Sequence, residues 1–176
     1  AGSNVTLLSD GSAIATGVAD DDSSFSIISP EQSDGNYSLT VTAADSSGNI
    51  SEISDSLSLT IDTALPGIPR VTTTETATND TTPTIEGVAE AGSTVTLFVD
   101  GTITEVTATA DVTGAFTITL PEKVDGTYDL TVTARDGAGN TSSESSVFSL
   151  TVDTIAPSEP SITTTTSLTN DSTPAI

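Results

Sequence analysis

Apolar and polar positions alternate along most of this chain with a period of two. Tyr128, Leu130, Val132 and Ala134 are separated by Thr and Asp, and Val95, Leu97 and Val99 repeat the pattern. A period of two puts one set of side chains on one face of a β-strand, and β-branched residues suit a half-buried pleated surface. Seven runs predict strands: Arg70–Thr74, Thr82–Val88, Ser93–Asp100, Thr104–Ala110, Ala115–Leu120, Gly126–Ala134 and Ser145–Val152. Turn chemistry lies between them, in Asp100-Gly101, Gly114, Asp125-Gly126 and Gly137/Gly139. No stretch has the 3.6-residue period of an amphipathic helix. Seven short strands spaced by about ten residues predict an all-β, immunoglobulin-like β-sandwich.

The same pattern occurs more than once. AGSNVTLLSDG at Ala1–Gly11 returns as AGSTVTLFVDG at Ala91–Gly101. DGNYSLTVTAADSSGN at Asp34–Asn49 returns as DGTYDLTVTARDGAGN at Asp125–Asn140. LTIDTALP at Leu59–Pro66 matches LTVDTIAP at Leu150–Pro157, and TNDTTPTI at Thr78–Ile85 matches TNDSTPAI at Thr169–Ile176. The offset changes from 90 to 91 between Gly11 and Phe25, and the acidic stretch Asp20–Asp22 is the loop expected to absorb the difference. Pro-rich segments, Ala64–Pro69 and Ala156–Pro160, mark junctions. The expected organisation is a partial repeat over residues 1–65 without its first strands, a complete repeat over 66–156, and the first strands of another over 157–176. Ala1 falls inside a repeat, so any targeting segment is expected outside this stretch.

Composition narrows what such repeats can do. Twenty-five acidic residues stand against three basic ones, for a formal net charge of -22. Phosphate backbones are bound by clustered Lys and Arg, so nucleic acid is excluded as a partner, and no apolar run is long enough for a membrane helix. Hydrophobic residues at 34%, arranged periodically, argue against an acidic disordered tail. The chain has no His or Cys, which removes the common nucleophiles and general bases. Carboxylates alone could form a glycosidase-like pair, but here they recur in turns in every repeat. No catalytic residue is assigned, and the chain is read as a non-enzyme.

The order TNDTTPTIEGVAEAGSTVTLFVDG, DGTYDLTVTARDGAGN, LTVDTIAP resembles the bacterial Ig-like repeats of giant type-I-secreted adhesins and biofilm-associated proteins. The resemblance implies many similar domains in a row, an extracellular place on a bacterial cell surface, adhesive domains elsewhere in the protein, and calcium at domain junctions. It implies a structural extender whose partners are neighbouring repeats of the same chain or head-to-tail copies. Direct binding of a glycan, a cell surface or ice, and self-association in a biofilm matrix, are the alternatives. The Thr-rich strands could serve ice or glycans, or be the plain result of high β propensity in an uncharged face.

Calcium takes six to eight oxygens from carboxylates, carbonyls and water. The repeated DxxGN turns offer Asp45 and Asn49 in one copy, Asp136 and Asn140 in the other. Asp62 and Asp153 close the last strand of each repeat, and Asp80 and Asp171 belong to the TND segments. These eight residues are the candidate metal ligands, with Asp45 grouped with Asp62 and Asp136 with Asp153. Asx-turns account for a single such Asp equally well. The run Asp20–Asp22 reads either as a second site or as a solvated loop.

Overall fold

The structure is a computed structural model that describes residues 2–163, 170 and 172–173. It is all-β, and the strands fall into two groups that follow the sequence repeat. In the first, β1 (Asn4–Ser9), β2 (Ser12–Val18), β3 (Gly35–Ala44) and β4 (Leu57–Ile61) form one antiparallel sheet in the order β2-β1-β3-β4. The second contains β5 (Arg70–Val71), β6 (Ala77–Thr78), β7 (Thr84–Val88), β8 (Thr94–Val99), β9 (Thr102–Thr109), β10 (Ala115–Thr119), β11 (Gly126–Arg135) and β12 (Phe148–Val152). These make a three-stranded sheet, β10-β7-β5, and a five-stranded sheet, β6-β12-β11-β8-β9.

The core of the second group lies between its two sheets. Val95, Leu97, Leu130, Val132 and Leu150 face Ile85, Phe116, Ile118 and Leu120, and all are buried. These are the apolar positions of the period-two pattern, so the sandwich follows from alternation alone. Burial of each large side chain stabilises by about 1.5–3 kcal/mol. Tyr128 closes one end, its hydroxyl donating to the Val124 carbonyl at 2.9 Å, with the Lys123 ammonium 5.0 Å from its ring centroid. Tyr37 does the same with the Ser33 carbonyl.

The hairpins β1–β2 and β8–β9 are closed by two-residue turns, Asp10-Gly11 and Asp100-Gly101, with φ of 48° and 80° in one and 51° and 73° in the other. Both residues of such a turn need positive φ, which Asp and Gly tolerate best. The Asp carboxylates also bind the next strand, accepting the Ser38 and Asp129 amides.

Three features differ from the sequence expectation. The extra residue of the second repeat sits in the β8–β9 bulge and not in the acidic loop. Leu8 pairs with Ala13 and Thr6 with Thr16, whereas Phe98 pairs with Ile103 and Thr96 with Thr107. The acidic loop has the same hydrogen bonds in both copies, Asp20 N–H to the Ser24 carbonyl and Asp111 N–H to the Ala115 carbonyl, so its length is unchanged. A bulge absorbs one residue without disturbing the ladder on either side.

The opening run Arg70–Thr74 is the second difference. Only its first two residues form a strand, β5, which pairs antiparallel with β7 in one sheet, while a separate strand beyond it, β6, pairs parallel with β12 in the other. The chain crosses between sheets over residues 72–76, and short range alternation carries no signal for which sheet an edge strand joins.

The third is the last strand, which begins at Phe148 and not at Ser145. The Ser145 hydroxyl accepts the Val132 amide at 3.1 Å while the Ser145 amide donates to the Val132 carbonyl, and Ser142 does the same for Ala134. Each serine thus supplies from its own backbone and side chain what a paired strand would supply. Ser54 and Ser51 repeat this at Val41 and Ala43. Ser145→Ala should cost about 1–3 kcal/mol in denaturant unfolding, because it leaves the buried Val132 amide without an acceptor. A Ser146→Ala control, at an exposed position, should change stability by less than about 0.5 kcal/mol.

Candidate functional site

The sequence points to the two DxxGN turns. Each follows the ten-residue strand of its repeat, β3 in one copy and β11 in the other. In the second copy the Asp136 carboxylate accepts the backbone amides of Ala138, Gly139 and Asn140 at 2.7–2.9 Å, and the Asn140 side-chain amide at 2.8 Å. The Asp45 carboxylate accepts the amides of Ser47 and Asn49 and the Asn49 side chain. Both carboxyls are held below the ordinary aspartate value, first by the asparagine side-chain amide and also by the turn's backbone amides. Donation to the charged form favours ionisation.

The sign of the resulting pH dependence follows. A depressed carboxyl contributes stability that is fully present above its unfolded value, here 3.8, and is lost as pH falls through the lower folded value. NMR titration should give Asp136 and Asp45 midpoints below the ordinary aspartate value of 3.8. The difference in Tm between the native chain and Asp136→Asn should be constant above pH of about 4 and shrink below it. A midpoint for Asp136 at or above the ordinary range would overturn this account of the turn.

The two turns differ in their surroundings. Asn49 is exposed, whereas Asn140 is half-buried. The cause is a contact across the junction: the Asn140 side-chain amide also donates to the main-chain carbonyl of Asp62, at 2.9 Å. One side-chain amide therefore bridges the Asp136 carboxylate of the second repeat and the end of the last strand of the first.

The sequence grouping of Asp136 with Asp153 is not what the fold brings together. Asp136 follows Arg135 at one end of β11, and Asp153 follows Val152, which pairs with Gly126 at the other end. Ten strand residues put them about 30 Å apart. Asp45 and Asp62 stand likewise at opposite ends of β3, since Gly35 pairs with Ile61. The residue from one repeat that meets the turn of the next is Asp62, through its carbonyl. Its carboxylate accepts the Ala64 amide, and that of Asp153 accepts the Ile155 amide. Asp80 holds its own loop by accepting the Thr82 amide and hydroxyl. Asp171 lies outside the described residues.

Sequence reasoning did not single out Asp34 and Asp125. Each reaches across the sheet to the residue after the last strand: Asp34 accepts the amide and hydroxyl of Thr63, and Asp125 those of Thr154. The signal was present as two Asp-Gly turns, but nothing local reveals a partner 29 residues away. Asp111 is a further turn acceptor, taking the amides of Thr113 and Ala115 and the Thr113 hydroxyl, which lower its carboxyl.

Among the described residues no three carboxylates converge into a metal-binding cluster. At the junction the oxygens that a hard cation could use are the Asp62 carbonyl, the Asp136 carboxylate and the Asn140 amide oxygen. They fit calcium in kind, being one charged and two neutral oxygen donors, and several more would have to come from water.

The fold and the repeat are tied to a family by sequence. The profile of the bacterial Ig-like domain matches residues 1–63 and 71–154. The chain belongs to the bacterial Ig-like domain family. Among solved structures, the bacterial Ig-like repeats here are similar to the fibronectin(III)-like modules of Clostridium thermocellum CbhA, at 17% identity and a TM-score of 0.55, over 85% of this chain and 77% of that one. A biofilm associated protein BSP domain matches at 22% identity and a TM-score of 0.40, over 89% of this chain and 26% of that one. SGBP-B of a Bacteroides ovatus mixed-linkage glucan utilization locus, in complex with a mixed-linkage heptasaccharide, matches at 20% identity and a TM-score of 0.33, over 84% of this chain and 39% of that one. At these identities the first likeness bears on the fold alone. A search of curated proteins finds no match.

Proposed function

We propose that these bacterial Ig-like repeats are a structural spacer of a larger extracellular surface protein, stiffened where one repeat meets the next. The observation that carries this reading is the Asn140 bridge. An amide that spans the Asp62 carbonyl and the Asp136 carboxylate fixes the second repeat to the final strand of the first. The intervening segment Ala64–Pro69 contains two prolines, which restrict the linker further. A repeat whose longest strands have ten residues spans roughly 40 Å with its loops, so stacked copies gain length efficiently. The net charge of -22 keeps such an array soluble and self-repelling.

Calcium belongs to the same reading. It would bind at the junction through the Asp62 carbonyl, Asp136 and the Asn140 amide oxygen, which must turn to replace the nitrogen that donates there, beside the Arg135 guanidinium that donates to the Gly139 carbonyl. A ligand that binds only the folded state stabilises it by about 2.7 kcal/mol at a hundred times its Kd. Small-angle scattering and thermal unfolding of this chain test it together. Calcium should raise Tm and narrow the distribution of maximum dimension relative to chelator. Asn140→Ala should abolish both responses while leaving the second sandwich folded. Identical profiles with calcium and chelator would remove calcium from the proposal. A maximum dimension unaffected by Asn140→Ala would remove the junction.

A further inference from the structure

One row across the outer face of the five-stranded sheet sets the second repeat apart from the first. Phe98 points away from the core, since Val95, Leu97 and Val99 are the buried residues of β8, and its ring is half-buried. It pairs with Thr131 on β11 and with Ile103 on β9. Val147 comes one residue before Phe148, which pairs with Leu130, so it continues the row beyond Thr131. Ile103 and Val147 are 65% and 62% exposed. The Thr131 hydroxyl donates to the Glu144 carboxylate at 2.7 Å, which fixes that carboxylate one strand away from Phe98. The first repeat keeps the threonine, as Thr40, but carries Leu8 for Phe98, Ala13 for Ile103, Ile53 for Glu144 and Ser56 for Val147. The ring, the carboxylate and the two large flanking side chains are thus present together in one repeat and absent together from the other. The extra residue of the second repeat also falls here, in the bulge between Thr96 and Phe98, and bulges re-aim the side chains beside them.

We propose that this patch is a docking site for a lysine or arginine side chain of another protein. A cation is drawn to the face of an aromatic ring and to a carboxylate, while its aliphatic stem covers apolar surface. Phe98 and Glu144 supply the first two, and Ile103 and Val147 the third. Charge selects the occupant. Twenty-five acidic residues against three basic ones make a surface that repels anions and attracts cations. The chain's own basic residues are placed elsewhere: Lys123 over the Tyr128 ring, Arg135 on the Gly139 carbonyl, and Arg70 on β5 in the other sheet. Among the described residues the Glu144 carboxylate has Thr131 as its partner and no basic one. Lys123 and Tyr128 already make the same contact of ammonium and ring within this repeat, at 5.0 Å. The patch uses no residue of the junction, so it is independent of the spacer reading and of calcium.

The probe is the peptide acetyl-VKVKVK-amide, titrated into the isotopically labelled full chain and followed by NMR. It should shift the resonances of Phe98, Ile103, Thr131 and Glu144 in a saturable way and leave Leu8, Ala13, Thr40 and Ile53 unmoved. Phe98→Leu, which installs the residue that the first repeat holds there, should weaken binding about threefold or more. Glu144→Gln should do the same, although its amide oxygen still accepts the Thr131 hydroxyl and so preserves the local fold. Affinity should fall as salt rises, because part of the attraction is between charges near solvent. The proposal is overturned by the absence of a saturable shift, by equal shifts in both repeats, or by unchanged affinity in either variant. It is also overturned if acetyl-VEVEVE-amide or the neutral glycan cellohexaose gives the same shifts.

Discussion

Phe116→Ala is expected to cost the second repeat about 3–5 kcal/mol, the range for truncating a buried aromatic ring. The ring is 3% exposed, sits in the cluster formed by Ile85, Leu97, Leu130 and Val132, and packs over Gly87. Truncation leaves a void among these packed side chains. A loss of this size approaches the whole stability of a small domain, which is about 5–15 kcal/mol. Phe25→Ala in the first repeat should cost less than half as much, because Phe25 is half-exposed. Denaturant unfolding followed repeat by repeat, with one tyrosine in each as the probe, separates the two. A cost below about 1 kcal/mol at Phe116 would show that its burial is not used in folding.

Gly87→Val should be at least as damaging, for the opposite reason. A Cβ at position 87 collides with the Phe116 ring and lies 2.6 Å from the Arg70 carbonyl oxygen. The ring could rotate away only into a packed core, and the carbonyl belongs to β5, paired with β7 at this point. Overpacking of this kind costs about 1–3 kcal/mol where side chains can shift, and more where backbone must. The expected result is loss of β5 from the sheet, read as rapid hydrogen exchange of the Thr72 amide, which donates to Glu86. The double variant Gly87→Val with Phe116→Ala should recover part of the loss, because it removes one of the two collisions. Additive losses would show that the ring is not the obstacle.

Much of this was legible in the sequence because period-two alternation and sheet burial are the same fact seen twice. Tyr128, Leu130, Val132 and Ala134 lie on one face of β11, as their spacing requires. What was not legible depends on partners distant in sequence. Ser145 looks like the start of a strand, and only the neighbouring β11 shows that its hydroxyl, like that of Ser142, replaces one. The placement of β5 and β6 in different sheets is decided by two sheets at once. The extra residue of the second repeat was assigned to a loop, where acidity made it plausible, but register shows it in a bulge. For the candidate site, the Asp and Asn of the DxxGN turns were visible as a repeated motif. Their grouping was not, because Asp153 is close to Asp136 in sequence and a strand's length away in space. The residue that meets Asn140 lies 78 positions earlier, in a different repeat.

The parallel pairing of β6 with β12 has a mechanical consequence. The ladder joins Ala77 to Thr151 and Thr78 to Val152, and flanking bonds run from the Thr151 amide to Thr76 and from the Asp153 amide to Thr78. In the proposed spacer, tension along the chain would pull residues before β6 one way and residues after β12 the other. Because the two strands are parallel, that pull slides them past each other instead of peeling them apart. Sliding loads every bond of the ladder together, whereas peeling breaks them one at a time. A pulled repeat should therefore hold its length up to a threshold force and then yield abruptly. The β6–β12 ladder, two residue pairs long, would set that threshold.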